Sequence, residues 1–188
     1  AEALRNSMGK PVDEEFTLSE LKALDTIVAE GLGITSLDGL EHASNLRTLR
    51  LKNNRISDIE PILQSRLLQQ LDLSHNPLFD ISALRNHTNL KELRLDATLV
   101  NNLGELKKLG SLITLSLENA QITDPSPLAN LVNMEHLNLA GNYVNDLTPL
   151  KDLTTLKTIQ LNSNFLDLNP GSTDGTIVAK WRSHGIQT

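Results

Sequence analysis

The chain has 188 residues, a formal net charge of −6 and no cysteine, with 38 leucines, 18 asparagines and 3% aromatic residues. That length suits one domain, the missing cysteine excludes a disulfide framework and a cysteine-ligated zinc site, and the acidic balance argues against nucleic acid, which wants a basic stripe. No apolar run reaches the roughly 18 residues that membrane insertion needs, and the opening AEALRNSMGK is not a signal peptide.

Residues 1–8 read as helical, stopped by Gly9 and Pro11. The following FTLSELKAL predicts a second helix. Thr17 and Glu20 have capping-box spacing, and Phe16 is placed to staple against Leu21. Residues 1–23 are therefore expected to form a helical N-terminal cap. From Leu24 onward the sequence repeats. The first Leu of LRTLRLKNNRISDI, Leu46, sets a phase that also falls on Leu24, Leu68, Leu90, Leu112, Met134 and Leu156, always 22 residues apart. Positions 1, 4, 6 and 11 of these seven units are apolar at all 28 sites, counting Ala29. A chain that is 39% hydrophobic does not do this by chance. Positions 3 to 7 alternate, which predicts a short strand with positions 4 and 6 facing inward.

The pattern LxxLxLxxNxI, followed by DIEPI, DPSPL and DLTPL, resembles the leucine-rich repeat family. The 22-residue period and the D-[LI]-x-P-L segment resemble its internalin-type bacterial subclass, over residues 24–171. The resemblance implies an α/β solenoid, right-handed and curved, with parallel strands on the concave face. It also implies a protein-binding module on or outside a bacterial cell. In such a fold, the asparagines at position 9 (Asn54, Asn76, Asn142 and Asn164) would satisfy their amides on backbone groups of neighbouring coils, as a ladder. Leu32, Thr98 and Ala120 interrupt that column, so a local weakening or a water is expected there. Asp58, Asp80, Asp124 and Asp146 share position 13, and Pro61, Pro127 and Pro149 follow three residues on. This is the chemistry of capped first turns. One carboxylate per coil is too few for calcium, which takes six or more oxygens.

After seven repeats (residues 24–171), NPGSTDGTIVAKWRSHG turns out of the stack. Residues 172–188 are expected to form a C-terminal cap helix, started by Ser172 or Thr173, carrying Ile177, Val178 and Trp181, and ending near Gly185. The Trp would plug the open apolar end of the last coil. LDLNPGSTDG resembles closing segments of other bacterial leucine-rich repeat proteins, not the immunoglobulin-like domain that follows the repeats of invasion-type internalins. The expectation is a complete, doubly capped solenoid.

The residues offer no catalytic constellation. His42, His75, His87, His136 and His184 occupy different repeat positions, and no HExxH, GxSxG, P-loop or GxGxxG motif is present. Ser116 and His136 fall on adjacent coils but lack an acid to orient the imidazole. His87, at position 20, reads as a structural residue of the convex side. The reading therefore expects no enzyme, no cofactor and no metal.

The concave face is legible as columns, because equal positions of successive coils stack about 4.8 Å apart. Position 5 places Arg50, Asp72 and Arg94 in one alternating row, and position 7 sets Lys52 beside Glu30. These read as solvated cross-strand pairs. Asp96, Glu118 and Glu92 gather like charges, a candidate meeting place for a cationic partner. Arg50, Lys52, Asp72, Glu92, Arg94, Asp96, Glu118 and His136 are the expected protein contacts. Reversing Arg50, Arg94, Asp96 and Glu118 is expected to leave the fold intact, because surface changes rarely exceed about 0.5 kcal/mol each. Tyr143 and Phe165, with Leu99 and Phe79, line one rim and offer an alternative glycan or cell-wall site. A third reading is an intracellular scaffold, resembling phosphatase-regulating proteins with 22-residue repeats. The partner expected first is another protein, bound by a monomer that is extracellular or on the bacterial cell surface.

Overall fold

The computed structural model describes residues 17–188. The helix expected over residues 1–8, the stop at Gly9 and Pro11, and the Phe16 staple lie outside the described residues. Helix α1 spans Leu18–Ala23. The Glu20 amide donates to Thr17 Oγ1 at 3.3 Å, and the Thr17 amide donates to Glu20 Oε2 at 2.8 Å, which completes the capping box. Leu21 is the residue that α1 buries.

Seven three-residue strands follow: β1 (Thr26–Val28), β2 (Thr48–Arg50), β3 (Gln70–Asp72), β4 (Glu92–Arg94), β5 (Thr114–Ser116), β6 (His136–Asn138) and β7 (Thr158–Gln160). They form one parallel sheet in sequence order. Every pairing is offset by one repeat: Thr26 faces Thr48, Leu49 faces Leu71, and Ser116 faces Asn138. The equal spacing of the units is thus what makes the columns real. Between strands the chain returns through 3-10 turns, at Leu40–His42, Glu60–Ile62, Ser82–Asn86, Gly104–Lys108, Ser126–Leu128 and Thr148–Leu150. Position 13 starts each return. Asp58, Asp80, Asp124 and Asp146 each accept the amide two residues on at 2.8 Å. Asn102 does the same at 2.9 Å and Ser36 at 3.0 Å. The two bonds from Thr148 hold the Asp146 carboxyl below its ordinary pKa.

The core runs the length of the stack. Leu49, Leu71, Leu93, Leu115 and Leu137 at position 4 are buried, and Leu51, Leu73, Leu95, Leu117 and Leu139 at position 6 lie beside them. Ile62, Leu84, Leu106, Leu128 and Leu150 face them from the returns. Each such side chain contributes about 1.5–3 kcal/mol relative to exposure.

The asparagine ladder is present where the sequence has asparagine. Asn142 accepts the amides of Ala120 (3.1 Å) and Ile122 (2.9 Å) and donates to the carbonyls of Leu117 (2.8 Å) and Leu139 (2.9 Å). Asn54, Asn76 and Asn164 make the same kind of bonds across their own coil boundaries. Thr98 manages one bond, from its hydroxyl to the Leu95 carbonyl at 2.7 Å. Ala120 supplies no side-chain bond at all. Leu32 turns its side chain outward and is 50% exposed.

His87, expected as a structural and half-buried residue of the convex side, is buried completely. Its Nε2 lies 3.1 Å from the Ile62 carbonyl oxygen. Burial pushes its imidazole below the ordinary pKa, and the carbonyl contacts that favour a proton do not offset this. Position 8 is left-handed in every coil: φ is near +51° to +58° at Asn53, His75, Ala97, Asn119 and Ser163, and +68° and +67° at Gly31 and Gly141. Only two of the seven are the glycines that such a turn favours.

The C-terminal end is closed in two ways. Helix α2 (Thr173–Ser183) is capped by Ser172, whose Oγ accepts the Gly175 amide at 3.0 Å. It buries Ile177, Val178 and Trp181. Gly175 has to be glycine, because a Cβ there would lie 2.4 Å from the Asn169 carbonyl oxygen. Asp174 reaches back to accept the Leu147 amide at 2.9 Å, tying the helix to the sixth coil. The tail beyond α2 then pairs with β7. The Ile159 amide donates to the Gln187 carbonyl (2.8 Å) and the Gln187 amide to Lys157 (2.9 Å). This tail covers the open strand edge.

Candidate functional site

The strand face carries the candidate residues, and it divides into two hollows that share Arg94. The first, of 240 Å³, is lined by Glu30, Arg50, Lys52, Gln70, Leu71, Asp72, Glu92 and Arg94. It is a charged basin. The register sets Arg50 opposite Asp72, and Asp72 opposite Arg94. The cross-strand ion pairs expected from that register do not form. Among the described residues, the only ion pair between members of these columns lies within one strand, Arg94 Nε to Glu92 Oε1 at 2.7 Å. Side chains at i and i+2 of a strand share a face, so Glu92 reaches the guanidinium without crossing to another coil. The Glu92 hydrogen bond holds Arg94 above its ordinary pKa, and the charges of Glu92, Asp72 and Asp96 add to it. Arg50 and Lys52 form no ion pair among the described residues. An exposed cross-strand pair gains little over solvation, which is why alternation alone does not produce one.

The second hollow, of 180 Å³, is lined by Arg94, Thr114, Leu115, Ser116, His136, Leu137, Asn138, Thr158 and Gln160. Apart from Arg94 and the His136 imidazole, its lining holds no ionisable side chain. His136 Nδ1 lies 2.9 Å from Thr158 Oγ1. Ser116 donates its hydroxyl to Asp96 Oδ1 rather than to His136. The neighbouring serine and histidine noted in the sequence therefore have separate hydrogen-bond partners.

Asp96 itself is largely occupied. Its Oδ1 also accepts the Glu118 amide at 2.8 Å. Its Oδ2 takes the Ser74 hydroxyl at 3.4 Å, and the Asp96 amide donates to the same hydroxyl oxygen at 3.3 Å. One carboxylate thus joins coils 3, 4 and 5. Glu118 accepts from Asn138 Nδ2 at 3.1 Å. The like charges of Asp96 and Glu118 are accommodated by donors from neighbouring coils, and Asp96 cannot be reversed without losing those bonds. Ser74 and Ser116, both buried, carry this network. The sequence gives no signal for Ser74, a lone serine on a polar column, and it offers Ser116 only as a neighbour of His136.

On the rim, Tyr143 and Phe165 stack with ring centroids 5.8 Å apart and planes at 12°. They cover each other and still remain 51% and 67% exposed. Phe79 and Leu99 are exposed as well, on coils 3 and 4. Among the described residues there is no group of three His, Asp or Glu side chains able to hold a metal ion. No described helix is long and apolar enough to cross a membrane.

Residues 110–152 match the family described as leucine rich repeats (2 copies), and residues 45–65 and 67–87 match leucine rich repeat. The chain is similar to the solved structure of an internalin, InlF, from Listeria monocytogenes, at 33% identity and TM-score 0.86, covering 88% of this chain and 49% of that one. It is similar to internalin C2 of the same organism at 35% identity and TM-score 0.84, covering 88% of this chain and 74% of that one. A leucine-rich repeat protein of Leptospira interrogans matches at 25% identity and TM-score 0.73, over 88% of this chain and 48% of that one. The chain spans about half the length of the first and third of these. With the seven-stranded parallel stack, these likenesses place the chain in the internalin-like leucine-rich repeat family.

Proposed function

We propose that this chain is a non-enzymatic recognition module that binds another protein through the strand face. The supporting observation is the charged basin. Arg50 and Lys52 project there without ion-pair partners among the described residues, beside Asp72, Glu92 and Arg94. The in-register sheet fixes these groups in rows, so little ordering entropy is lost on binding. Arg50, Lys52, Asp72, Glu92, Arg94, Glu118 and His136 are the contact residues of this reading, and Asp96 acts by holding Ser116 and the Glu118 backbone in place. The face lacks the aromatic anchors common at hot spots, so binding is polar and salt-sensitive.

The same reading divides the chain into an N-terminal cap (residues 1–23), seven repeats (24–171) and a C-terminal cap (172–188), acting as a monomer. In this reading the module works on or outside a bacterial cell, which its likeness to listerial internalins supports. The glycan reading has one observation in its favour, the exposed Tyr143–Phe165 stack. The experiment that separates the two is capture from host-cell and bacterial-envelope extracts with wild type, Arg50→Glu/Lys52→Glu and Tyr143→Ala/Phe165→Ala. The strand-face reading expects a protein retained by wild type and the rim variant, and lost by the charge variant. Retention of polysaccharide alone, lost on rim truncation, would replace it with the glycan reading.

A further inference from the structure

A third hollow, of 480 Å³, lies where the strand face meets the C-terminal cap. Its lining comes from successive layers: Glu118 of coil 5, Ala140 of coil 6, Gln160, Leu161 and Asn162 of coil 7, then Val178 and Arg182 of α2, with Leu168 and Thr188. Glu118, Ala140 and Asn162 hold position 7 of consecutive coils, and the small side chain of Ala140 leaves the row open at its centre. Leu161 is partly exposed, unlike the buried Leu95, Leu117 and Leu139 at the same position, because no eighth coil covers it. Leu168 is 52% exposed. An aliphatic surface therefore lies open between an acid and a base. The acid is two coil steps from the last coil, about 10 Å, and the base stands beyond that coil on the cap.

The polar groups of this hollow have unused capacity. Arg182 donates from Nε to Thr188 Oγ1 at 2.8 Å, and its Nη groups make no hydrogen bond among the described residues. The side-chain amides of Gln160 and Asn162 make none either. Glu118 has one bond from Asn138 and a long one, 3.5 Å, from Asn119.

We propose that this shoulder binds a short extended peptide segment whose first, third and fifth side chains, all on one face, are a cation, an aliphatic group and a carboxylate. The cation meets Glu118. The aliphatic group covers Ala140, Leu161 and Leu168. The carboxylate takes the Nη groups of Arg182, whose planar fork suits it. Residues 1 and 5 of such a segment stand about 13 Å apart, at about 3.3 Å per residue. The amides of Gln160 and Asn162, each both donor and acceptor, serve the peptide backbone, which would otherwise lose its hydrogen bonds to water. This site shares Glu118 with the strand face but does not depend on the charged basin binding a protein.

The test is a titration of the isotopically labelled 188-residue chain, followed by NMR, with acetyl-KSLSE-amide, acetyl-KSLSK-amide and acetyl-KSSSE-amide. The proposal expects saturable shifts of the Gln160 and Asn162 side-chain amides and the Arg182 Nε–H with KSLSE. KSLSK and KSSSE should bind about threefold to fivefold more weakly. Arg182→Glu should reverse the order, so that KSLSK binds more tightly than KSLSE, and Glu118→Lys should favour acetyl-ESLSE-amide. Thermal unfolding checks that each variant is folded, since Arg182 also holds Thr188. Equal binding of the three peptides, shifts confined to another surface, no shifts up to about 10 mM peptide, or an unreversed preference in folded Arg182→Glu would each overturn the proposal.

Discussion

Between coils 5 and 7 the stack is joined from inside, where Asn142 and Asn164 bond backbone groups of two coils at once. Between coils 3 and 5 the same interior position is Thr98 and then Ala120, and the joining moves to the outside. There Asp96 holds Ser74 on one side and Ser116 with the Glu118 amide on the other. Both arrangements supply polar partners across coil boundaries, one in the buried column and one on the strand face. A charge in an exposed column is therefore not by that alone a contact for a partner. Asp96 resembles Glu30 in sequence, yet Asp96 spans three coils and Glu30 makes no hydrogen bond among the described residues.

The largest effect should come from the interior joint. Asn142→Ala leaves buried donors and acceptors of two coils unpaired, and should cost about 3 kcal/mol or more in urea unfolding. A loss below about 1 kcal/mol would mean that water replaces the side chain. Next, Asp96→Ala should cost about 1–3 kcal/mol, because it strips the buried Ser74 and Ser116 hydroxyls of their acceptor, while Glu30→Ala stays within about 0.5 kcal/mol. Equal costs would erase the contrast between the two carboxylates. In the other direction, Thr98→Asn would restore an interior joint at coil 4 and should add about 1 kcal/mol. Measured in the Asp96→Ala background, it reports whether the inside joint substitutes for the outside one.

His87 makes a pH prediction between the same coils. Its folded pKa is depressed by burial, so the unfolded chain binds the proton more readily. Stability should therefore hold above the unfolded value near 6.5 and fall as pH drops below it. His87→Leu places a leucine in the column that already holds Leu109, Leu131 and Leu153, and should flatten the profile. The gain at pH 5 should exceed any change at pH 8, as read by thermal melts. The smallest effect is Ala97→Gly, which relieves a left-handed alanine and should stabilise by no more than about 1 kcal/mol.

The fold was legible because its causes recur. Burial of positions 4 and 6, the capping box of Thr17 and Glu20, the turns begun at position 13 and the burial of Trp181 each rest on a residue type whose physics is local or periodic. What could not be read depended on partners brought together only by stacking. Nothing in the sequence announces that Ser74, Asp96 and Ser116 would meet, or that Gln187 would return to β7. Position 8 carried a partial sign, two glycines and two asparagines, which favour the left-handed region, but only the closed coil holds Ala97 and Ser163 there as well. The charge rows of the strand face were placed correctly as rows, but their pairing was not, because solvation decides whether long side chains reach across. Where the candidate residues sit was therefore readable, and which of them are already engaged was not.

Recognition of a protein by the strand face is tested by purifying the protein that the wild-type chain captures and measuring its Kd by calorimetry. Wild type would be compared with Arg50→Glu/Lys52→Glu and with Tyr143→Ala/Phe165→Ala, after melts show all three equally folded. A strand-face contact gives a Kd weakened about tenfold or more by the charge variant, strongly salt-dependent in wild type, and unchanged by the rim variant. An unchanged Kd in the charge variant, with binding lost in the rim variant, would contradict it.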